Sequence, residues 1–217
     1  MNAYDTAFAF WSLLSTEQEK LAGGVALANT DVPYFLSNAA WYPQVGELQG
    51  VAEWYAARGL PPALIAPSKR EDALERALQE GPFRLEHAFT FREAAETPAE
   101  SLVEQVDWRQ TRYAGELLAR HYEQPDLGLA IGSSLANAMQ ESPLIQAFLS
   151  YRDDPVGAVI AFGRDDVLMA TLLADENGGL EARLAQDAAR RGLRGLVLEM
   201  LPEGVTAGGG LERWTTD

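Results

Sequence analysis

The sequence predicts an α+β protein, and three observations carry that prediction. Three short apolar segments, residues 144–151, 156–162 and 167–174, follow one another across turn-forming residues and read as an antiparallel meander. From Asn177 the apolar spacing changes from strand to helix period, and a buried strand over residues 193–201 comes straight after it. Two strands joined by one helix and such brief connections require a parallel, right-handed crossover. Thirdly, the same order of apolar run, short loop, helix, glycine and strand occurs at residues 63–91, so a second α/β unit precedes the first.

Phe8, Trp11 and Leu14 recur every three residues and place a helix at the start; Thr16 and Glu19 then offer a capping box for another. Asn29, Pro33, Asn38 and Pro43 break residues 24–43 into strand and loop. Leu48, Val51 and Tyr55 line one face of a helix over residues 47–58, stopped by Gly59. Residues 63–66 read as a strand, and Ser68 with Glu71 caps a helix over residues 69–80 that Gly81 and Pro82 end. Phe83, Leu85, Phe89 and Phe91 form a half-buried strand. His87 shares their face, where a histidine is ordinarily packed rather than catalytic. Residues 93–100, EAAETPAE, are short, acidic and broken by Pro98, which makes them the linker between a unit at 1–97 and a unit at 98–217. Beyond it the pattern gives a strand at 102–108 and a helix at 109–122 with Tyr113, Leu117 and His121 inward. A strand at 127–131 and a short helix at 133–141 follow. Leu180, Leu184 and Ala188 are the buried stripe of the crossover helix, which Gly192 stops.

With 32 acids against 17 bases, the 217 residues carry a formal charge of −15. Such a charge repels phosphate backbones and anionic headgroups, so neither a nucleic-acid nor a membrane partner is expected. Cysteine is absent, which removes disulfides, thiol catalysis and Cys-ligated zinc and fits a reducing cytoplasm. No apolar stretch approaches the roughly 20 residues that span a bilayer, and the N-terminus does not read as a signal peptide. His87 and His121 fall on different elements, so no metal site is expected. Neither a Gly-x-Ser-x-Gly elbow nor a P-loop occurs. Lys69 and Arg70 give the 69–80 helix a locally positive start, a more welcoming place for an anion than the acidic loop before the crossover helix.

The stretch PVGAVIAFGRDDVLMATLLADENGGLEARLAQDAARRGLRGLVLEML, residues 155–201, resembles the central plan of the GNAT superfamily of acyl-CoA-dependent N-acetyltransferases. NAAWYP and LQGVAEWYAARGLPPALIAP, residues 38–43 and 48–67, are similar to the degenerate N-terminal half of family members with two GNAT-like units. The resemblance implies a GNAT-like mixed sheet with an antiparallel meander and one parallel crossover, preceded by the degenerate unit. It also implies transfer of an acyl group from acetyl-CoA to an amine of a small molecule or a protein. The alternative is a GNAT-fold binding or scaffold protein that has lost the cofactor.

The family's diphosphate loop, Arg/Gln-x-x-Gly-x-Gly/Ala, falls on Glu176, Asn177, Gly178, Gly179, Leu180 and Glu181. By that match Asn177, Gly178, Gly179 and Leu180 hold the CoA diphosphate at a helix N-terminus, and backbone groups of Leu172 and Leu173 face the pantetheine arm. Glutamates stand at the first and last positions, and residues 164–187 hold six acids against two arginines. A carboxylate about 5 Å from a phosphate costs on the order of 1–3 kcal/mol, whereas a helix end returns about 0.3–1 kcal/mol. Tyr151 is the last tyrosine, so the family's proton-donating tyrosine has no matching position; Asp175 and Glu199 lie where a base could stand, and no catalytic residue is assigned. Family members add a helix and two strands after the crossover. Residues 202–217 can form at most one short strand, so one element of the sheet is either missing or comes from elsewhere, for instance the N-terminal region or the second subunit of a homodimer.

Overall fold

The computed structural model describes residues 2–22, 24–32, 34, 36–46, 48–96, 102–175, 179–205 and 208–216. In chain order the first elements are α1 (Ala3–Leu13), β1 (Glu17–Leu21), β2 (Gly24–Ala28), β3 (Ala40–Trp41), α2 (Leu48–Ala56), β4 (Ala63–Pro67), α3 (Asp72–Glu80) and β5 (Phe83–Glu93). They are followed by β6 (Leu102–Val106), α4 (Thr111–His121), α5 (Gly128–Glu141), β7 (Ile145–Tyr151), β8 (Pro155–Arg164), β9 (Val167–Ala174), α6 (Gly179–Arg190), β10 (Arg194–Met200) and β11 (Gly210–Thr216). The fold class is α+β, as the meander and crossover imply, and among the described residues no helix is long and apolar enough to cross a membrane.

Two compact units form, one from Met1–Leu13 with Arg92–Leu198 and the other from Leu14–Phe91 with Glu199–Asp217. The division at residue 97 expected from the acidic linker therefore differs from the one observed, and both chain ends explain why. Helix α1 belongs with the later residues because Phe10 packs on Phe162 of β8, with ring centroids 6.0 Å apart. Strand β11 belongs with the earlier ones because it pairs antiparallel with both β4 and β5. Thr97, Pro98, Ala99 and Glu100, the centre of the expected linker, lie outside the described residues.

In the first unit the strand order is β10-β9-β8-β7-β6. The meander is antiparallel throughout, and β9 and β10 are parallel, as the crossover requires. Leu180, Leu184 and Ala188 are buried in one core with Phe148, Val159 and Val197. Removing each leucine from water is worth about 1.5–3 kcal/mol, which fixes α6 on this face. In the second unit the order is β1-β2-β3-β4-β11-β5. There α2 and α3 share a core with Leu64, Phe83 and Trp214.

Several local expectations change. Instead of a capped helix at Thr16, the chain forms the β1–β2 hairpin, and the Thr16 N–H and hydroxyl both donate to the Ala28 carbonyl. Helix α3 starts at Asp72 without a side-chain cap, three residues later than Ser68 suggested. In α4 the inward residues are Ala114, Leu118 and Ala119, one position on from the expected face, while Tyr113 is exposed. Residues 127–131 are not a strand but the start of α5, which lies so close to α4 that a Cβ at Gly115 would fall 2.4 Å from the Gly132 nitrogen.

Candidate functional site

The crossover β9–α6–β10 creates the candidate site. Parallel pairing joins Val167–Ala170 to Arg194–Val197 and stops there among the described residues, although β9 runs on to Ala174. A β-bulge sits at the same level: Ile160 opposes Leu172 and Ala161 opposes Ala170, so Thr171 is the extra residue, its hydroxyl donating to the Ile160 carbonyl at 3.2 Å. One inserted residue reverses the side to which the following amides point. The Leu173 N–H donates to the Tyr122 hydroxyl, at 3.5 Å. Tyr122 follows α4, and burial pushes its hydroxyl above the ordinary tyrosine range, opposed by the Leu173 hydrogen bond.

Beyond β9 lies the start of α6. Asp175 Oδ2 accepts hydrogen bonds from the Leu180 N–H at 2.8 Å and the Glu181 N–H at 3.3 Å. The helix caps itself with a carboxylate, which satisfies two of its free donors and its positive end together. Glu181, expected to oppose a bound phosphate, is turned elsewhere. Its two carboxylate oxygens accept from Arg92 at 2.6 and 2.8 Å, and one also accepts from the Ala95 N–H at 3.2 Å. Those Arg92 hydrogen bonds hold its carboxyl below the ordinary glutamate range against the opposing effect of burial.

Of the residues assigned from the loop match, Gly179 and Leu180 open α6 and are buried, and Leu172 and Leu173 lie on β9 past the bulge. Glu176, Asn177 and Gly178 lie outside the described residues. Asp175 is pinned by two amides, and Glu199 is exposed. Among the described residues no group of three or more histidine, aspartate or glutamate side chains gathers to hold a metal ion.

Sequence reasoning missed both Tyr122 and Arg92. Tyr122 stands 51 positions from Leu173, and no local pattern marks such a pairing. Asp175, by contrast, is a capping residue type just before a helix, a readable signal that a search for phosphate ligands passes over.

In the second unit, β4–α3–β5 has the same order of elements, yet β11 lies between its two parallel strands. Glu212 opposes Ala66 on one side and Ala88 on the other. Arg70, expected to welcome an anion, instead pairs with Glu212 at 2.7 Å and Glu75 at 2.5 Å and donates to the Pro67 carbonyl. On β5, His87 is half-buried and stacks edge-on near Phe89, and burial lowers its pKa below the ordinary histidine value.

No protein-family profile and no curated protein matches the sequence. Solved structures do match the fold. A GCN5-related N-acetyltransferase from Kribbella flavida is similar over 99% of this chain and 95% of its own, with TM-score 0.64 and 17% identity. One from Sphaerobacter thermophilus covers 77% of this chain and 64% of its own, with TM-score 0.51 and 14% identity. A conserved protein of unknown function from Bacteroides thetaiotaomicron covers 98% and 91%, with TM-score 0.53 and 8% identity. This chain shares its fold with these proteins, two of which are named GCN5-related N-acetyltransferases.

Proposed function

We propose that this GNAT-fold chain is a binding or scaffold protein whose inherited cofactor slot is filled by its own side chains. The observation that carries the reading is the Asp175 carboxylate on the Leu180 and Glu181 amides, the donors a CoA diphosphate would need. To admit the diphosphate, Asp175 must leave those amides yet stay close by. One carboxylate about 6 Å from two phosphate charges, at an effective dielectric of about 40, costs ~3 kcal/mol. Loss of the cap adds about 1 kcal/mol. Together these weaken binding by roughly a thousandfold. At the other end of the slot the Leu173 amide already has Tyr122 as its partner. The described residues of the slot do not fit acyl-CoA in the family's manner.

A second reading is favoured by one observation. The bulge at Thr171 remains in β9, and the parallel pairing of β9 with β10 reaches only Ala170 among the described residues. On that reading the chain is an N-acyltransferase using acetyl-CoA and an amine acceptor, as the names of its Kribbella flavida and Sphaerobacter thermophilus neighbours suggest. Leu172 and Leu173 then face the carrier arm, and Asn177, Gly178, Gly179 and Leu180 hold the diphosphate. Calorimetric titration with acetyl-CoA separates the two. The first reading expects no saturable heat from the wild type at millimolar cofactor and measurable binding by Asp175→Ala. Micromolar binding by the wild type, weakened by Gly179→Val, would establish the transferase.

A further inference from the structure

We propose that the outer edge of β6 is a docking site for an extended, basic segment of a partner protein. In the first unit β6 ends the strand order, three strands away from β9. It is paired with β7 along its whole length, Leu102 opposite Tyr151 through Val106 opposite Ala147. Among the described residues no strand pairs with its other side; the Val103 carbonyl accepts from Arg183, itself paired with Asp187, and the remaining backbone groups of that edge form a template for strand addition.

The side chains define what fits. Leu102 is 61% exposed, and Tyr113 of α4 is 51% exposed, a large apolar surface for an edge strand. Burial first, then the charges of Glu104 and Tyr113, push the Tyr151 hydroxyl above the ordinary tyrosine range. Leu102 and Tyr151 lie directly opposite each other in the β6–β7 pair and make a shelf, with Glu104 two positions along the same face of β6. The turn that follows Tyr151 carries exposed Asp153 and Asp154 beside one exposed base, Arg152, for a net charge of −1.

Charge chooses the occupant. A second copy paired antiparallel about the centre of β6 would set Glu104 against its own equivalent, and like charges directly opposite destabilise a strand pair. It would also bring together two chains of charge −15. Nucleic acid and anionic membranes meet the same repulsion. A strand that places a lysine or arginine opposite Glu104 and an apolar residue over Leu102 satisfies both the backbone edge and the shelf.

The test uses the full chain, labelled with 15N, and two capped seven-residue peptides, one alternating lysine with valine and one alternating glutamate with valine. The lysine peptide is expected to shift the amides of Leu102–Val106 saturably, and the glutamate peptide to leave them unmoved. Glu104→Lys should exchange that preference, and Leu102→Ser should weaken the lysine peptide about three- to tenfold with the charge unchanged. Shifts scattered over the surface, or equal binding to Leu102→Ser, would mean diffuse attraction only and overturn the proposal, as would no response to either peptide. A dimer of the free chain that Leu102→Asp dissociates would overturn it in favour of a second copy. None of these outcomes depends on whether acetyl-CoA binds, so this proposal and the reading of the slot fail separately.

Discussion

The crossovers β4–α3–β5 and β9–α6–β10 share an order of elements and differ in what occupies the space between their parallel strands. Between β4 and β5 the occupant is β11, which pairs with both neighbours and buries Glu212, Arg213 and Trp214. Between β9 and β10 the strands pair for four residues, and past them the Leu173 amide meets the Tyr122 hydroxyl while the Asp175 carboxylate takes the first amides of α6. A strand inserted into a sheet is held by many hydrogen bonds and a buried core. A hydroxyl and a carboxylate are held by about 1 kcal/mol each. The first closure is part of the fold, and the second is a contact that one substitution can release.

The largest effect expected from this contrast lies in the closed crossover. Trp214→Ala should cost about 3–5 kcal/mol, read as a lower urea midpoint with loss of hydrogen-exchange protection in β4 and β5. A loss below about 1 kcal/mol would mean that β11 merely covers the gap. Glu212→Ala tests the same strand through charge. It leaves Arg70, whose side chain is 5% exposed, with Glu75 and the Pro67 carbonyl as its remaining partners, so the loss is expected to be smaller, about 1–2 kcal/mol.

Next in size is the floor of the parted crossover. A Cβ at Gly157 would lie 2.6 Å from Ser150 Oγ, 2.8 Å from the Ala174 carbonyl oxygen and 3.1 Å from a Leu180 methyl. Gly157→Ala is therefore expected to cost about 1–3 kcal/mol and to disturb the start of α6. Unchanged thermal unfolding would show that this floor is soft.

The sequence made the parted crossover easier to read than the closed one. Leu180, Leu184 and Ala188 are one stripe of an amphipathic helix, and the turns at 152–155 and 163–166 separate the meander strands, so local pattern sufficed. Strand β11 carried no comparable signal for its place. LERWTT can read as a strand, but pairing it with residues 63–67 on one side and 83–90 on the other depends on contacts more than a hundred positions away. Strand β1, EQEKL, is almost wholly exposed, so no apolar alternation marks it. Residues 127–131 are apolar and short, a pattern strand and helix share, and the close approach of Gly115 and Gly132 decided for helix. In the site, the loop match led to Gly179 and Leu180 correctly as the opening of α6, but the match could not reveal that their neighbour Asp175 claims the amides.

A smaller, pH-dependent effect is expected at Glu181. Its folded pKa lies below the ordinary value of 4.5, chiefly through hydrogen bonds from Arg92. A depressed carboxylate contributes stability above its unfolded pKa and loses it as pH falls through the folded one. Wild type should thus exceed Glu181→Gln by about 1 kcal/mol near neutrality, with the difference shrinking below about pH 4.5. Chemical denaturation across that range checks it, and a difference that grows on acidification would contradict the assignment.

The most direct measurement follows the Leu180 and Glu181 backbone amide resonances while inorganic pyrophosphate is added to the wild type and to Asp175→Ala. With Asp175 occupying those donors, the wild-type resonances should stay in place and those of the variant should move to saturation. Saturable movement in the wild type, at concentrations no higher than the variant needs, would contradict the account and return the helix end to a cofactor.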